Sequence, residues 1–119
     1  YNGPTTNKGW YTSGDRKYYL KSSWESSYAE YLDRQLADAT IIQWEYEPDT
    51  FWFERIKRGV RSYTPDFKVE YPDGRIEYHE VKGYLDSKSK TKLKRMRIYH
   101  PEIKMILIDR ALMKQLDLL

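Results

Sequence analysis

Three residues on two neighbouring segments could together act on a phosphate. Asp66 lies in the segment YTPDF, and Glu80 and Lys82 lie in the segment YHEVKG. Carboxylate oxygens are ligands that Mg²⁺ and Mn²⁺ prefer, and the backbone carbonyl of Val81 and waters could complete an octahedral shell. Lys82 beside such a metal could orient or help to deprotonate a water and stabilise the charge that develops on a phosphate. The three side chains suit phosphodiester hydrolysis if the fold brings them together.

The loop between the two segments decides whether they meet. Residues 63–71 and 75–82 alternate as β-strands do, and Pro72-Asp73-Gly74 lies between them. Pro suits the second position of a type I turn, and Gly suits a left-handed residue after it, so a three-residue hairpin loop is favoured. This loop places Tyr71 opposite Arg75.

The register that follows from this loop gathers the acidic residues. Counting back along both strands places Asp66 opposite Glu80, and the two-residue alternation keeps Lys82 on the same face as Glu80. A two-residue Asp-Gly loop would instead place Asp66 opposite Val81 and scatter the three side chains. In the first arrangement Asp73 only forms the turn and should be expendable.

A further carboxylate lies early in a predicted helix. Apolar residues between positions 21 and 37 recur on one helical face, with Ser22 or Ser23 as N-cap and Glu25 in the first turn. Glu25 could join the metal site if this helix packs across the sheet edge. Each motif alone also has a structural interpretation, since Glu-x-Lys is usually an exposed pair and an acid near a helix start favours the helix dipole. Their combination favours a nuclease.

These motifs resemble those of the PD-(D/E)xK nuclease superfamily, most closely the phage endonuclease I type of Holliday-junction resolving enzyme. The similarity covers about residues 18–109 and rests on SSWES, YTPDF, YHEVKG and HPEIKMILI, with a Lys-rich helix before the last segment. WEYEP and IKRGVRSYTPDF also resemble segments of small phage proteins of this superfamily. The resemblance implies that Glu25, Asp66 and Glu80 hold the metal and that Lys82 is catalytic, with Gly83 also matching.

The same resemblance implies a restriction-endonuclease-like fold and an activity. The expected enzyme is a Mg²⁺- or Mn²⁺-dependent endonuclease that nicks branched DNA such as Holliday junctions in phage DNA recombination, usually as a homodimer. Mismatch-nicking, site-directed and transposon-end-cleaving enzymes share the core motif and are the alternatives within the superfamily. A non-catalytic DNA-binding module on the same fold is the alternative of another class.

Two basic segments are candidates for phosphate contacts beside the acidic residues. One enters the Asp66 strand and the other is a helix over residues 86–100, which begins a few residues after Lys82. Six phosphate contacts would make binding strongly dependent on salt, whereas a merely solvated helix face would not. The candidate DNA-binding residues are Arg55, Lys57, Arg58, Arg61, Lys88, Lys90, Lys92, Lys94, Arg95 and Arg97.

The elements that must position these residues form an α/β fold with a mixed sheet. A helical crossover between the strand that ends at Lys82 and the next strand favours parallel pairing of the two. The expected elements are a helix over 21–37, three or four antiparallel strands over 41–47, its continuation 51–54, 63–71 and 75–82, a helix over 86–100, a strand over 103–109 and a helix over 110–119. With 51–54 counted as part of the first strand, the order is αβββαβ with a closing helix.

The first residues show no periodic pattern. We expect residues 1–20 to form an irregular N-terminal arm, whose Tyr and Trp side chains could stack on unpaired bases, and residues 21–119 to form a single nuclease domain. His79 should point to the sheet face opposite Glu80, so a structural role is favoured for it.

Composition excludes several classes of protein. The 119 residues contain no cysteine, which excludes disulfides, thiolate chemistry and cysteine-bound zinc. No apolar run has the ~20 residues that a membrane helix needs, so we expect a cytoplasmic protein, in the host cytoplasm if phage-encoded. Residues 1–81 carry 11 Lys and Arg against 14 Asp and Glu, whereas residues 82–119 carry 10 against 4. This asymmetry suggests a strongly charged partner such as nucleic acid.

Overall fold

A computed structural model describes residues 9–119 of the chain. A hairpin comes first, then a helix, five strands, a second helix, a strand and a short helix. The elements are β1 (Gly9–Ser13), β2 (Arg16–Leu20), α1 (Ser23–Ala37), β3 (Gln43–Tyr46), β4 (Phe51–Trp52), β5 (Ser62–Tyr63), β6 (Phe67–Glu70), β7 (Ile76–Val81), α2 (Ser87–Tyr99), β8 (Met105–Ile108) and α3 (Arg110–Gln115).

The central sheet has four strands in the order β3-β6-β7-β8. The first three strands are antiparallel, and β8 pairs in parallel with β7 after the crossover through α2. The predicted α/β fold with a mixed sheet is confirmed, and so is the parallel pairing that a helical crossover requires.

The turn between β6 and β7 has the predicted length. The backbone N–H of Gly74 donates to Tyr71 O at 2.9 Å, and the N–H of Tyr71 donates to Arg75 O at 2.9 Å. Gly74 has φ of 90°, a left-handed conformation that glycine adopts without steric cost. Because β6 and β7 pair from Glu70↔Ile76 to Phe67↔His79, the next residues outward are Asp66 and Glu80. The three-residue loop and its register are confirmed.

The predicted irregular arm is wrong for residues 9–20. These residues form an antiparallel hairpin, β1 and β2, closed by a two-residue turn between Ser13 and Arg16. Tyr11 and Leu20 on its inner face are buried in the main core. Residues 9–20 therefore belong to the packed domain, while residues 1–8 of the expected arm lie outside the described residues.

The predicted strand over residues 63–71 is interrupted. Pro65 has no backbone N–H to donate to a neighbouring strand, and the chain leaves one sheet and enters another there. Residues 62–63 pair with β4 in a separate two-stranded sheet, whereas residues 67–70 pair within the central sheet. Asp66 thus lies just before β6 begins. At this point hydrogen bonds to side chains replace the backbone hydrogen bonds that pair the strands.

The helices begin where capping side chains were expected. Ser22 Oγ accepts a hydrogen bond from the N–H of Glu25 at 3.1 Å, and Asp86 Oδ1 accepts one from Ser89 at 2.8 Å. These caps satisfy backbone donors that have no partner within the helix. They place Glu25 in the first turn of α1 and the first turn of α2 shortly after β7. Among residues 9–119 no helix is long and apolar enough to cross a membrane.

Two apolar clusters support the sheet. The larger contains Phe67 and Val81 of the sheet and Leu32 of α1, and the smaller contains Phe53, Tyr63 and Met96. Alternation along each strand sends successive side chains to opposite faces. The strand β7 therefore presents Glu77, His79 and Val81 to the α1 side and Tyr78 and Glu80 to the other.

Candidate active site

The predicted acidic residues and lysine line one cleft at an end of the sheet. The cleft has a volume of about 640 Å³ and lies where β6 begins, β7 ends and α1 begins. The structure brings together all five residues that we predicted for the metal site and its catalytic lysine, namely Glu25, Asp66, Glu80, Val81 and Lys82.

Asp66 and Glu80 are held in place by reciprocal bonds. The N–H of Asp66 donates to Glu80 Oε1 at 3.2 Å, and the N–H of Val81 donates to Asp66 Oδ2 at 2.8 Å. These hydrogen bonds join the two segments just beyond Phe67↔His79, which is the last residue pair of β6 and β7. The two carboxylates are therefore oriented by the backbone.

The Val81 carbonyl faces Asp66. The backbone N–H groups of Tyr78 and Lys82 donate to β8, at Lys104 O and Ile108 O. Since bonding direction alternates along a strand, the N–H and C=O of Val81 point away from β8. The N–H bonds the Asp66 side chain, so the carbonyl is on that side as well.

Glu25 combines a capping role with a place in the cleft. Its Oε1 accepts hydrogen bonds from the N–H of Lys21 at 2.7 Å and from the Tyr46 hydroxyl at 2.9 Å. The side chain is buried. Because α1 starts at the sheet end, Glu25 is near enough for its charge to raise the pKa of Asp66.

The two carboxyl groups are in an environment that disfavours their charged forms. Burial raises the pKa of Asp66 well above its ordinary range, and the charges of Glu80 and Glu25 raise it further. Burial also raises the pKa of Glu80, although Tyr63, the Asp66 N–H, Lys82 and Lys92 partly offset this. Near neutral pH the pair is stabilised by retaining a proton or by gaining a cation.

Three lysines line the same cleft. Lys21 Nζ bonds Glu47 Oε2 at 2.9 Å, so its charge is already paired. Lys82 extends from the end of β7, and Lys92 reaches in from α2 with its Nζ 5.8 Å from the centre of the Tyr63 ring. The positive charges of Lys82 and Lys92 both lower the pKa of Glu80, so both favour its ionised form.

The Tyr63 hydroxyl is buried beside Glu80. Burial and then the Glu80 charge raise the pKa of Tyr63. Its Oη has no hydrogen bond of regular geometry with the described residues, although the pKa shifts of Tyr63 and Glu80 reflect a hydrogen bond between them. The Tyr63 hydroxyl and the Glu80 carboxylate therefore lie near each other without a hydrogen bond of regular geometry.

The donor set fits a hard divalent cation. Mg²⁺ is usually bound by one or two carboxylates and several waters, and Asp66, Glu80 and the Val81 carbonyl provide such oxygens. Within residues 9–119 no cluster of three or more His, Cys, Asp or Glu side chains is arranged as a ready metal site. Glu25 is therefore near the candidate site without completing a three-carboxylate cage.

Only one of the ten predicted DNA-binding residues lines the cleft, and it is Lys92. Arg95 is half-buried, and its guanidinium donates to the Val60 carbonyl. That bond and the cluster around Phe53 and Met96 pack the β4–β5 loop against α2, so the two basic segments meet. The other eight side chains are exposed on these segments, at Arg55, Lys57, Arg58, Arg61, Lys88, Lys90, Lys94 and Arg97.

Several cleft residues were not predicted from the sequence. Lys21, Glu47 and Tyr63 line the cleft and carry no local signal. Tyr46 bonds Glu25 from outside the cleft lining, and alternation in WEYE could have indicated that it faces inward with Trp44. Gly83 has a clear packing reason, because a Cβ there would lie 2.9 Å from two atoms of the Trp24 ring. The ring thus covers the backbone directly after Lys82.

His79 lies on the sheet face opposite Glu80, as predicted. Its Nδ1 is 2.6 Å from the Tyr28 hydroxyl, and its Nε2 is 3.0 Å from Glu77 Oε1. Burial lowers its pKa despite the neighbouring Glu77. His79 links α1 to β7 beneath the cleft.

Comparison with known proteins identifies a family. A family model described as "Protein of unknown function (DUF1064)" matches residues 15–115. No curated protein matches the chain. The matched region runs from the β1–β2 turn to the end of α3 and includes every residue of the acidic cleft. The chain therefore belongs to the DUF1064 family.

Proposed function

We propose that this protein is a metal-dependent endonuclease that hydrolyses phosphodiester bonds in DNA. The observation that carries the proposal is the pair formed by the buried Asp66 and the half-buried Glu80, which shares a cleft with Lys82 and Lys92. Two adjacent acids whose pKa values are raised by loss of solvent cost folding stability, so their presence in a cleft favours a functional role.

Asp66, Glu80 and the Val81 carbonyl would hold Mg²⁺ or Mn²⁺, with Glu25 as a further acid nearby. Such an ion, when bound, supplies Lewis acidity toward the phosphate and makes water a better nucleophile. Its charge would also relieve the repulsion between the carboxylates.

The other cleft residues would bind and orient the substrate. Lys82 and Lys92 approach the acidic pair from two elements and would bind the non-bridging oxygens of the phosphate. The Tyr63 hydroxyl would donate to Glu80 and hold its carboxylate in one orientation. Trp24 would keep water from the wall of the cleft beside Gly83.

The surface around the cleft supports a polyanionic substrate. The β4–β5 loop and α2 carry nine basic side chains besides Lys92, eight of them exposed. Phosphates on either side of the cleaved bond would contact these segments. DNA, its branched form, and action as a homodimer are the more specific parts of the proposal, and they derive from the motif resemblance.

A cleavage assay tests the proposal. The protein is incubated with supercoiled plasmid, a four-way junction, a flap and a linear duplex, in Mg²⁺, in Mn²⁺ and with chelator. We expect nicking that needs the metal and is greater on the branched substrates. Absence of cleavage on all four substrates in both metals would overturn the proposed activity.

One observation favours a second candidate, a non-catalytic DNA-binding module. Among the described residues no ready group of three metal-binding side chains is present. Binding of junctions without nicking in either metal would support this candidate.

A further inference from the structure

The cleft rim carries an aromatic side chain that the proposed chemistry does not use. Tyr84 is 79% exposed, more than any other large hydrophobic side chain between residues 9 and 119. It lies two residues after Lys82 and lines the same cleft. Two residues span at most about 7 Å, so its ring is close to the phosphate that Lys82 would bind.

The Tyr84 ring is largely exposed and has no polar or aromatic partner within the described part of the chain. Neither a hydrogen bond nor a ring contact joins it to another residue of 9–119. Three buried tyrosines differ from it, since Tyr28, Tyr46 and Tyr78 each bond a side chain. Exposing an aromatic ring to water forgoes the stabilisation that burial would give. Its place at the cleft therefore points to a ligand.

A second aromatic ring in the cleft lining is packed in place. The Trp24 ring packs on Gly83, where a Cβ would approach it to 2.9 Å. The guanidinium of Arg110 lies 5.0 Å from the centre of the Trp24 ring. The cleft lining thus contains one packed aromatic ring, which lies on Gly83, and one exposed ring, which belongs to the next residue along the chain.

We propose that Tyr84 is a specificity residue that stacks on an unpaired base next to the phosphate in the cleft. This inference rests on the proposed function. Bases inside a duplex already stack on each other and offer no free face, whereas bases in a single strand, a flap or a branch point do. The preferred substrate would then be DNA with unpaired nucleotides beside the cut.

The expected effect is large enough to measure. Stacking of a base on an aromatic side chain is worth about 5- to 150-fold in affinity when the side chain is replaced by alanine. Loss of Tyr84 should reduce binding of an unpaired substrate by that factor and leave a continuous duplex little affected.

The test compares a continuous duplex with the same duplex carrying a single-stranded flap. Fluorescence anisotropy in chelator measures binding, and gel assays in Mg²⁺ and Mn²⁺ measure cleavage. The variants are Tyr84→Ala and Tyr84→Phe. Trp52→Ala is the matched control, because Trp52 is an exposed aromatic residue outside the cleft lining.

We expect Tyr84→Ala to lose most of the flap preference, and Tyr84→Phe and Trp52→Ala to keep it. An unchanged flap preference in Tyr84→Ala would overturn the inference. A change in the sedimentation of that variant would overturn it as well, because it would show that Tyr84 contacts another protein chain. If the wild type cleaves both substrates and Tyr84→Ala behaves identically, only the inference fails. If the wild type cleaves neither but Tyr84 controls flap binding, only the proposed activity fails.

Discussion

The strand β7 carries two acidic side chains in contrasting surroundings, three residues apart. Glu77 is 6% exposed and faces α1, while Glu80 faces the opposite side and meets Asp66, which is 7% exposed. Burial disfavours a charged carboxylate in both places. The two sites differ in the hydrogen bonds and charges that compensate for the cost of burying the carboxylate.

Glu77 is surrounded by donors. It accepts from the Tyr71 hydroxyl at 2.9 Å and forms ion pairs with Arg75 at 3.4 Å and Lys104 at 3.3 Å. His79 Nε2 lies 3.0 Å away. Burial raises the pKa of Glu77, but the hydrogen bonds from His79, Tyr71 and Lys104 outweigh it and lower the pKa.

The Asp66–Glu80 pair has two acids and too few partners. Backbone N–H groups orient both carboxylates, yet both pKa values stay raised. A fully paired acid such as Glu77 stabilises the fold, whereas an unpaired acidic pair in a cleft costs stability and is available to a ligand. The contrast separates a structural carboxylate from a functional one on a single strand.

The largest expected effect concerns cleavage. Asp66→Asn, Glu80→Gln and Lys82→Ala should each reduce nicking about 100-fold or more, because the first two remove ligands of the proposed cation and the third removes a positive charge beside the reacting phosphate. DNA binding measured in chelator should survive. Plasmid nicking in Mg²⁺ checks this, with Asp73→Asn as the control because Asp73 lies exposed in the β6–β7 turn. Full activity in any of the three variants would remove that residue from the mechanism.

The next effect concerns stability on the Glu77 side. Glu77→Ala should lower the free energy of unfolding by about 2–4 kcal/mol, since it leaves the buried His79 and Tyr71 groups without their partner. Urea denaturation followed by circular dichroism measures this. A loss below about 0.5 kcal/mol, which is the size of an ordinary surface substitution's effect, would contradict a structural role for Glu77.

A smaller effect of opposite sign is expected at Asp66. Asp66→Asn should raise the free energy of unfolding of the metal-free protein at pH 7 by about 0.5–2 kcal/mol, because it removes the cost of keeping a buried acid protonated at a pH where the unfolded chain ionises it. Its amide oxygen can still accept from the Val81 N–H. Loss of stability in Asp66→Asn would show that the carboxylate is structural.

The same side chain sets a pH dependence. An acid whose pKa is raised in the folded state binds more protons folded than unfolded, so stability falls as pH rises from its ordinary pKa of about 4 toward the raised value. Chelated wild-type protein should lose stability across that window relative to Asp66→Asn. Parallel curves for the two proteins would contradict the raised pKa.

Local sequence signals were sufficient to predict the arrangement of the acidic pair. Pro72 and Gly74 specify the length of the loop, and the loop sets the pairing that brings Asp66 to Glu80. The cap at Ser22 likewise fixed Glu25 in the first turn of α1. Where a turn or a helix cap determines the position of a residue, that position can be predicted from the local sequence.

Other parts depend on contacts between distant residues. Asp33 joins the hairpin of residues 9–20 to the sheet, since it accepts from Tyr11 of the hairpin at 2.6 Å and from Trp44 of β3 at 2.9 Å. Nothing in the local pattern of the first residues revealed that partner. Lys92 is likewise one of many lysines on α2, and only the packing of the helix selects it for the cleft.

The most direct test of the account is divalent cation binding by the acidic pair. Calorimetric titration of the full chain with Mn²⁺ at neutral pH should show binding in the wild type and in Glu77→Gln, and none in Asp66→Asn or Glu80→Gln. That result would establish the two carboxylates as the cation site. Equal binding by all four proteins, or none in the wild type, would contradict it.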